Sequence, residues 1–200
     1  MRAFFATLIL LFSTVSFAQQ SRLKVVPPEP PSLLKAYLLG IEARYEKTPD
    51  LDWADRRPLN IAFGFQKKQL DFLMEYASFN VNTGNASLSV DREHQEVVGW
   101  VRWHAYEHKW TKNRLSLYGG AGIGSYLEKV STQDSLGNSY TADSDYKIMS
   151  ALSLGAELQM PLSESFGFVG ALEGRALIAS DFEPNPTGSG VLRIGFFMNL

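Results

Sequence analysis

The stretch 146–160 reads YKIMSALSLGAELQM, and its two-residue rhythm decides the fold. Ile148, Ser150, Leu152, Leu154, Ala156, Leu158 and Met160 fall on one face, while Lys147, Met149, Ala151, Ser153, Gly155, Glu157 and Gln159 fall on the other. Side chains of a strand alternate between faces, whereas an amphipathic helix needs apolar residues three and four apart. The segment is therefore expected to be a β-strand with one apolar wall.

The same rhythm recurs on both sides of it. Residues 165–179 set Phe166, Phe168, Leu172, Ala176 and Ile178 against Ser165, Gly167, Glu173 and Arg175. The final segment, from 190, carries Leu192, Ile194, Phe196, Met198 and Leu200 on one face. Residues 115–129 oppose Leu115, Leu117, Ala121, Ile123 and Leu127 to a row of Ser, Tyr and Gly. Towards the N-terminus the alternation is rougher but continues. Val97, Val101, Trp103 and Ala105 oppose Trp100, Arg102, His104 and Tyr106. Phe72, Met74 and Tyr76 oppose Leu73, Glu75, Ala77 and Phe79; Leu59, Ile61, Phe63 and Phe65 oppose Asn60, Ala62, Gly64 and Gln66. In 35–46, Tyr37, Leu39, Ile41, Ala43 and Tyr45 oppose Gly40, Glu42, Arg44 and Glu46, although Leu34, Leu38, Ile41 and Tyr45 also match a helix capped by Ser32. Taken as a strand, this gives eight, the even count that single-chain bacterial barrels use.

The expected connections alternate in length. Gln66–Gln69, Glu107–Arg114 and Pro161–Glu164 are tight, whereas Lys47–Pro58, Asn82–Glu96, Ser131–Asp145 and Ser180–Ser189 are long and polar. Short turns at one end and long loops at the other belong to an up-and-down transmembrane barrel, with the turns periplasmic and the loops outside.

Charge type indicates which face meets lipid. The mid-strand charges are Glu42, Arg44, Glu75, Arg102, Glu157, Glu173, Arg175 and Arg193, four of each sign and no lysine. Lys35, Lys47, Lys67, Lys68, Lys109, Lys112, Lys129 and Lys147 sit at strand ends, turns or loops. A water-facing wall would use Lys freely; an enclosed one favours Arg, whose planar fork pairs with carboxylates through several bonds. The eight are expected to form an interior ion-pair network, with Gly, Ala and Ser leaving room for it in a narrow bore. Tyr37, Tyr45, Phe65, Phe72, Tyr76, Trp103, Trp110, Phe166 and Phe168 are expected to form interfacial aromatic girdles.

The N-terminus reads as an export signal. Arg2 precedes an apolar run from Phe4 to Val15, and Ser16 and Ala18 occupy the −3 and −1 positions of a cleavage site before Gln19. Residues 1–18 are expected to be removed, 19–32 (with Pro27, Pro28, Pro30 and Pro31) to be a periplasmic tether, and 33–200 to be the barrel. With no cysteine the domain cannot lean on disulfides. A net charge of −2 gives no sign of a nucleic-acid partner.

Leu117-Tyr-Gly-Gly-Ala-Gly-Ile-Gly-Ser-Tyr126, Leu152-Ser-Leu-Gly-Ala-Glu157 and Val191-Leu-Arg-Ile-Gly-Phe-Phe197 resemble the small eight-stranded outer-membrane barrels of the OmpA/OmpX/OmpW type. The resemblance implies a monomer in contact with outer-membrane lipids, lipopolysaccharide and the barrel-assembly machinery, with an unidentified partner at the outer loops. Such barrels commonly end in Phe, whereas this chain ends in Leu200.

No enzyme is expected. His104 and His108 stand about 13 Å apart on a strand, too far for one ion. No Ser lies within two residues of either, no G-x-S-x-G occurs, and the acidic Asp134, Asp143 and Asp145 lack calcium-loop spacing. No catalytic residue, metal or cofactor is assigned. The expected role is structural or interactive, through the outer loops. A narrow channel or ligand conduit, a soluble lipocalin-like binding barrel and a barrel lipid hydrolase are the alternatives.

Overall fold

The computed structural model describes residues 32–44, 53–84, 87–180 and 185–200. The expected signal segment and nearly all of the tether, with Tyr45, lie outside them. The described chain forms nine strands: β1 (Leu33–Arg44), β2 (Trp53–Lys67), β3 (Leu70–Gly84), β4 (Leu88–Trp110), β5 (Asn113–Asp134), β6 (Ser139–Asp143), β7 (Lys147–Pro161), β8 (Phe166–Ile178) and β9 (Thr187–Asn199). The sheet order is β4-β3-β2-β1-β9-β8-β7-β5-β6, and β4 also pairs with β5. That last pairing closes eight strands into an antiparallel barrel with no free edge. β6 stands outside the ring. It pairs with Lys129–Gln133 of β5, above the stretch Arg114–Tyr126 that pairs with β7.

Segment 33–44 is a strand, so the helical spacing of Leu34, Leu38 and Ile41 decided nothing. A register shift between Tyr37 and Leu39 explains the mixed pattern. Leu33, Lys35 and Tyr37 point inward before it, and Gly40, Glu42 and Arg44 after it. One extra residue reverses every later side chain. Tyr37 is thereby fully buried inside the barrel, not at the lipid interface where a simple alternation put it. A second shift, between His104 and Tyr106, turns Tyr106 outward, against the same expectation.

The connections also differ from the reading of the sequence. Trp110 pairs with Asn113, so the expected turn 107–114 shrinks to Thr111 and Lys112. Most of the expected loop 82–96 is strand: Gly84 pairs with Ser89, and β4 runs for 23 residues. The loop 131–145 contains the β5–β6 hairpin. These stretches are polar on both faces, so apolar alternation could not reveal them as strands. The strands β2 to β6 therefore form a wall that rises above the β7-β8-β9-β1 side.

Glycine makes room in the bore at specific places. A Cβ at Gly122 would lie 2.9 Å from the Trp100 ring, and one at Gly120 would lie 2.8 Å from Arg102 Cγ. The small residues of β5 thus accept the largest inward side chains of β4.

Candidate functional site

The inward face carries a chain of buried ion pairs set among apolar side chains such as Leu73, Trp100, Met149 and Phe197. Nearest the turns, Lys35 Nζ donates to Asp71 Oδ2 at 2.9 Å and to Glu157 Oε1 at 2.7 Å. Tyr37 Oη and Gln159 Nε2 also donate to Glu157, at 2.6 and 2.7 Å. At mid-height, Glu173 gathers three arginines: Arg102 at 2.6 Å, Arg175 at 2.9 Å and Arg193 at 3.2 Å. Tyr118 Oη donates to the same carboxylate at 2.9 Å. Glu75 receives Arg175 through both Nη atoms, at 2.7 and 2.6 Å, and pairs with Arg193 as well. Towards the loop end, Arg44 bridges Glu42 at 3.1 Å and Glu96 at 2.8 Å, with His94 Nε2 2.9 Å from Glu96. Aromatic rings line this core. Arg175 lies 4.8 Å above the Trp100 ring, and His94 stacks between Phe79 and Tyr126.

All eight charged residues named from the sequence lie in this core. The structure adds Asp71, Glu96, His94 and His104, and it corrects one assignment. Lys35, placed at a strand end by its position, is 1% exposed and inside. The bulge that turns Tyr37 inward belongs to the same strand, and both side chains share Glu157. Asp71 lies at the start of β3, and Glu96 lies in the polar part of β4 expected to be loop, so neither stands at a mid-strand position of the apolar alternation.

Two groupings invite a chemical reading. Ser116 Oγ lies 2.8 Å from His104 Nδ1, and His104 Nε2 lies 3.4 Å from Asp71 Oδ2. Ser116 lies on β5, next to the strand of His104, where spacing along a single strand does not bring the two together. This is a nucleophile, base and acid in line. All three are fully buried, however, and Lys35 already holds Asp71. Asp71, His104 and Glu157 also bring ligand atoms within 4.8 Å of one another, as do Glu42, Glu75 and Glu96. Lys35 supplies the positive charge to the first set; Arg44 and Arg175 supply it to the second. Both are ion-pair clusters.

The outward face is the reverse. Leu172 is 63% exposed, Leu39 58% and Ile194 52%, whereas Glu75, Arg102 and Arg193 are 0% exposed. The barrel is built inside out. Its fold is that of a small membrane-spanning β-barrel. Phe65, Phe72, Tyr76, Trp103, Trp110, Phe166 and Phe168 stand on this outer wall, most of them near the turn end. Phe65 stacks on Phe72 at 5.1 Å, and Phe196 sits 5.4 Å from Phe166 and 5.1 Å from Phe168. Tyr106 joins them because of the β4 bulge.

No known protein-family pattern matches the sequence, and no curated protein matches it. Solved structures do match. The barrel is similar to Ail, the attachment invasion locus protein of Yersinia pestis, at 15% identity over 85% of this chain and 97% of that one, with a TM-score of 0.48. It is similar to Neisserial surface protein A at 12% identity over 87% and 100%, with a TM-score of 0.44. The N-terminal β-barrel domain of Pseudomonas aeruginosa OprF matches at 12% identity over 86% and 100%, with a TM-score of 0.40. This chain's own strand order and the sorting of its two faces define the fold.

Proposed function

We propose that the chain is an integral outer-membrane β-barrel with a closed bore, acting as a structural and interaction protein through the wall and loops at its tall end. The observation that carries this reading is the sorting itself. Monomeric soluble proteins rarely expose contiguous apolar patches beyond a few hundred Å². Here most outward strand positions are apolar, so the wall requires a hydrocarbon solvent. The buried charges are paired, as an enclosed polar core requires.

The ion pairs fill the bore from the turn end to the loop end, which favours a plug over a conduit. At the outer end, β6 offers the partly unpaired edge of a sheet whose exposed side chains include Tyr140 and Asp143. Partners of the loop end and contacts with lipopolysaccharide belong to this part of the proposal, as do a monomeric state and the absence of catalysis.

Two measurements test it. The protein should fractionate with outer membranes and migrate differently in gels before and after heating, as folded barrels do. In planar bilayers it should give no discrete conductance steps. Recovery in the soluble periplasmic fraction overturns the membrane assignment. Steady single-channel currents would favour the conduit.

A further inference from the structure

We propose that the outer wall at the turn end carries a binding site for one anionic phospholipid, with its headgroup on Lys67 and Lys68 and an acyl chain along Phe65, Phe72 and Trp103. The inference rests on the membrane-barrel reading and adds to it a lipid class and a position.

A cavity of about 600 Å³ opens on the outer wall where β2 turns into β3. Its body is apolar: the stacked rings of Phe65 and Phe72, with Leu70 and Trp103 beside them. Its rim is Lys67, Lys68 and Gln69, and among the described residues lining it none is acidic. Lys68 takes a left-handed backbone, φ 57°, to make the two-residue turn that sets both lysines at the mouth.

The neighbouring hairpin gives the cavity its second side. Leu70, the first residue of β3, pairs with Trp103, yet β4 continues past it to Trp110. The β4–β5 hairpin thus projects beyond the β2–β3 turn and stands alongside it. His104 N donates to Gln69 O at 2.8 Å and Trp103 Nε1 to Gln69 Oε1 at 3.3 Å, tying the turn to that hairpin. The β4 bulge then turns Tyr106 outward, so the outward aromatic row continues down the projecting hairpin.

An apolar slot under a cationic rim suits an amphiphile with a negative head. The depth agrees, because aromatic belts mark the level where acyl chains give way to headgroups. The opening faces sideways into the bilayer, which selects a membrane lipid over a dissolved anion. Basic residues near an anionic bilayer surface each contribute attraction of the order of 1 kcal/mol, so two lysines correspond to roughly ten- to thirty-fold preference.

The test uses the folded barrel in phosphatidylcholine nanodiscs doped with phosphatidylglycerol, counting the lipids retained after detergent extraction. Phosphatidylglycerol should be enriched about ten-fold or more over its share of the bilayer. Lys67→Gln with Lys68→Gln should bring that ratio near one, while Lys109→Gln with Lys112→Gln, on the neighbouring β4–β5 hairpin and outside this cavity, should leave it. Heat-dependent gel mobility should persist in both. If the barrel inserts but retains both lipids equally, or if both lysine pairs matter alike, the site is overturned and the barrel stands. A protein that does not insert at all overturns both.

Discussion

The Glu75 carboxylate and the Arg175 guanidinium meet across the full width of the barrel, in two hydrogen bonds of 2.7 and 2.6 Å. β3 and β8 lie four strands apart in either direction round the ring, so this pair ties opposite walls together. The planar fork of arginine allows both bonds at once, and the second bond fixes its angle as well as its position. Such pairs occupy the lumen and hold the two sides of the barrel at a set distance.

Glu173 is the member of the core whose loss should be felt most. Three arginines share it, and Glu173→Ala leaves buried cations without their counter-charge. Removing one partner of a buried pair costs about 3–5 kcal/mol. Urea unfolding of the variant in lipid vesicles should reveal a loss of that size. Lys112→Ala, in an exposed turn, should leave the midpoint where it was. Equal small effects of the two substitutions would place Glu173 in water.

Two glycines separate packing from backbone freedom. Gly122→Ala sets a Cβ 2.9 Å from the Trp100 ring and should destabilise by about 1–3 kcal/mol, the usual cost of overpacking. At Gly188 an added Cβ meets nothing within 4 Å. Gly188→Ala should therefore be neutral or stabilising by roughly 0.4–1 kcal/mol, because it restrains the unfolded chain. The same unfolding experiment reads both.

Much of this was legible in the sequence because strands with one polar and one apolar wall carry a period of two. The eight-stranded count, the interior set from Glu42 to Arg193 and the outer aromatics such as Phe72 and Trp103 all follow from that period. It was lost at Tyr37 and Tyr106, because a bulge adds one residue and reverses the faces beyond it. Nothing in the local composition marks those bulges; they show only in the register with β9 and β5. The tall wall was hidden for another reason. Around Asp91 and Lys129 neither face is apolar, so strand and polar loop look alike. Cross-strand neighbours such as Ser116 and His104 depend on register, which one strand cannot reveal.

At the tip of the β5–β6 hairpin, Asp134 accepts hydrogen bonds from the Leu136 and Asn138 amides, each at 2.9 Å, and from Asn138 Nδ2 at 2.8 Å. These bonds, the Asn138 side chain first, hold its carboxyl below the ordinary value. Its pKa in the folded chain is thus lower than when unfolded, near 3.9. The stabilisation is present above that value and fades as pH falls through the lowered one. Hydrogen exchange at the Leu136 and Asn138 amides, corrected for intrinsic rates, should be slow at about pH 6 and should lose protection in acid. Asp134→Ala should remove that protection at every pH.

The central claim is that the apolar wall faces lipid and the charged wall is enclosed, and the four tryptophans give a direct test of it. Trp103 stands on the outer wall, whereas Trp100, three residues earlier, is 2% exposed inside the bore beneath Arg175. Two variants, each keeping only one of these and carrying Phe at the other three positions, are folded into vesicles of brominated lipid. The account predicts strong quenching of Trp103 fluorescence by the lipid bromines and little quenching of Trp100. Quenching of Trp100 with Trp103 untouched, or of neither residue, would contradict it.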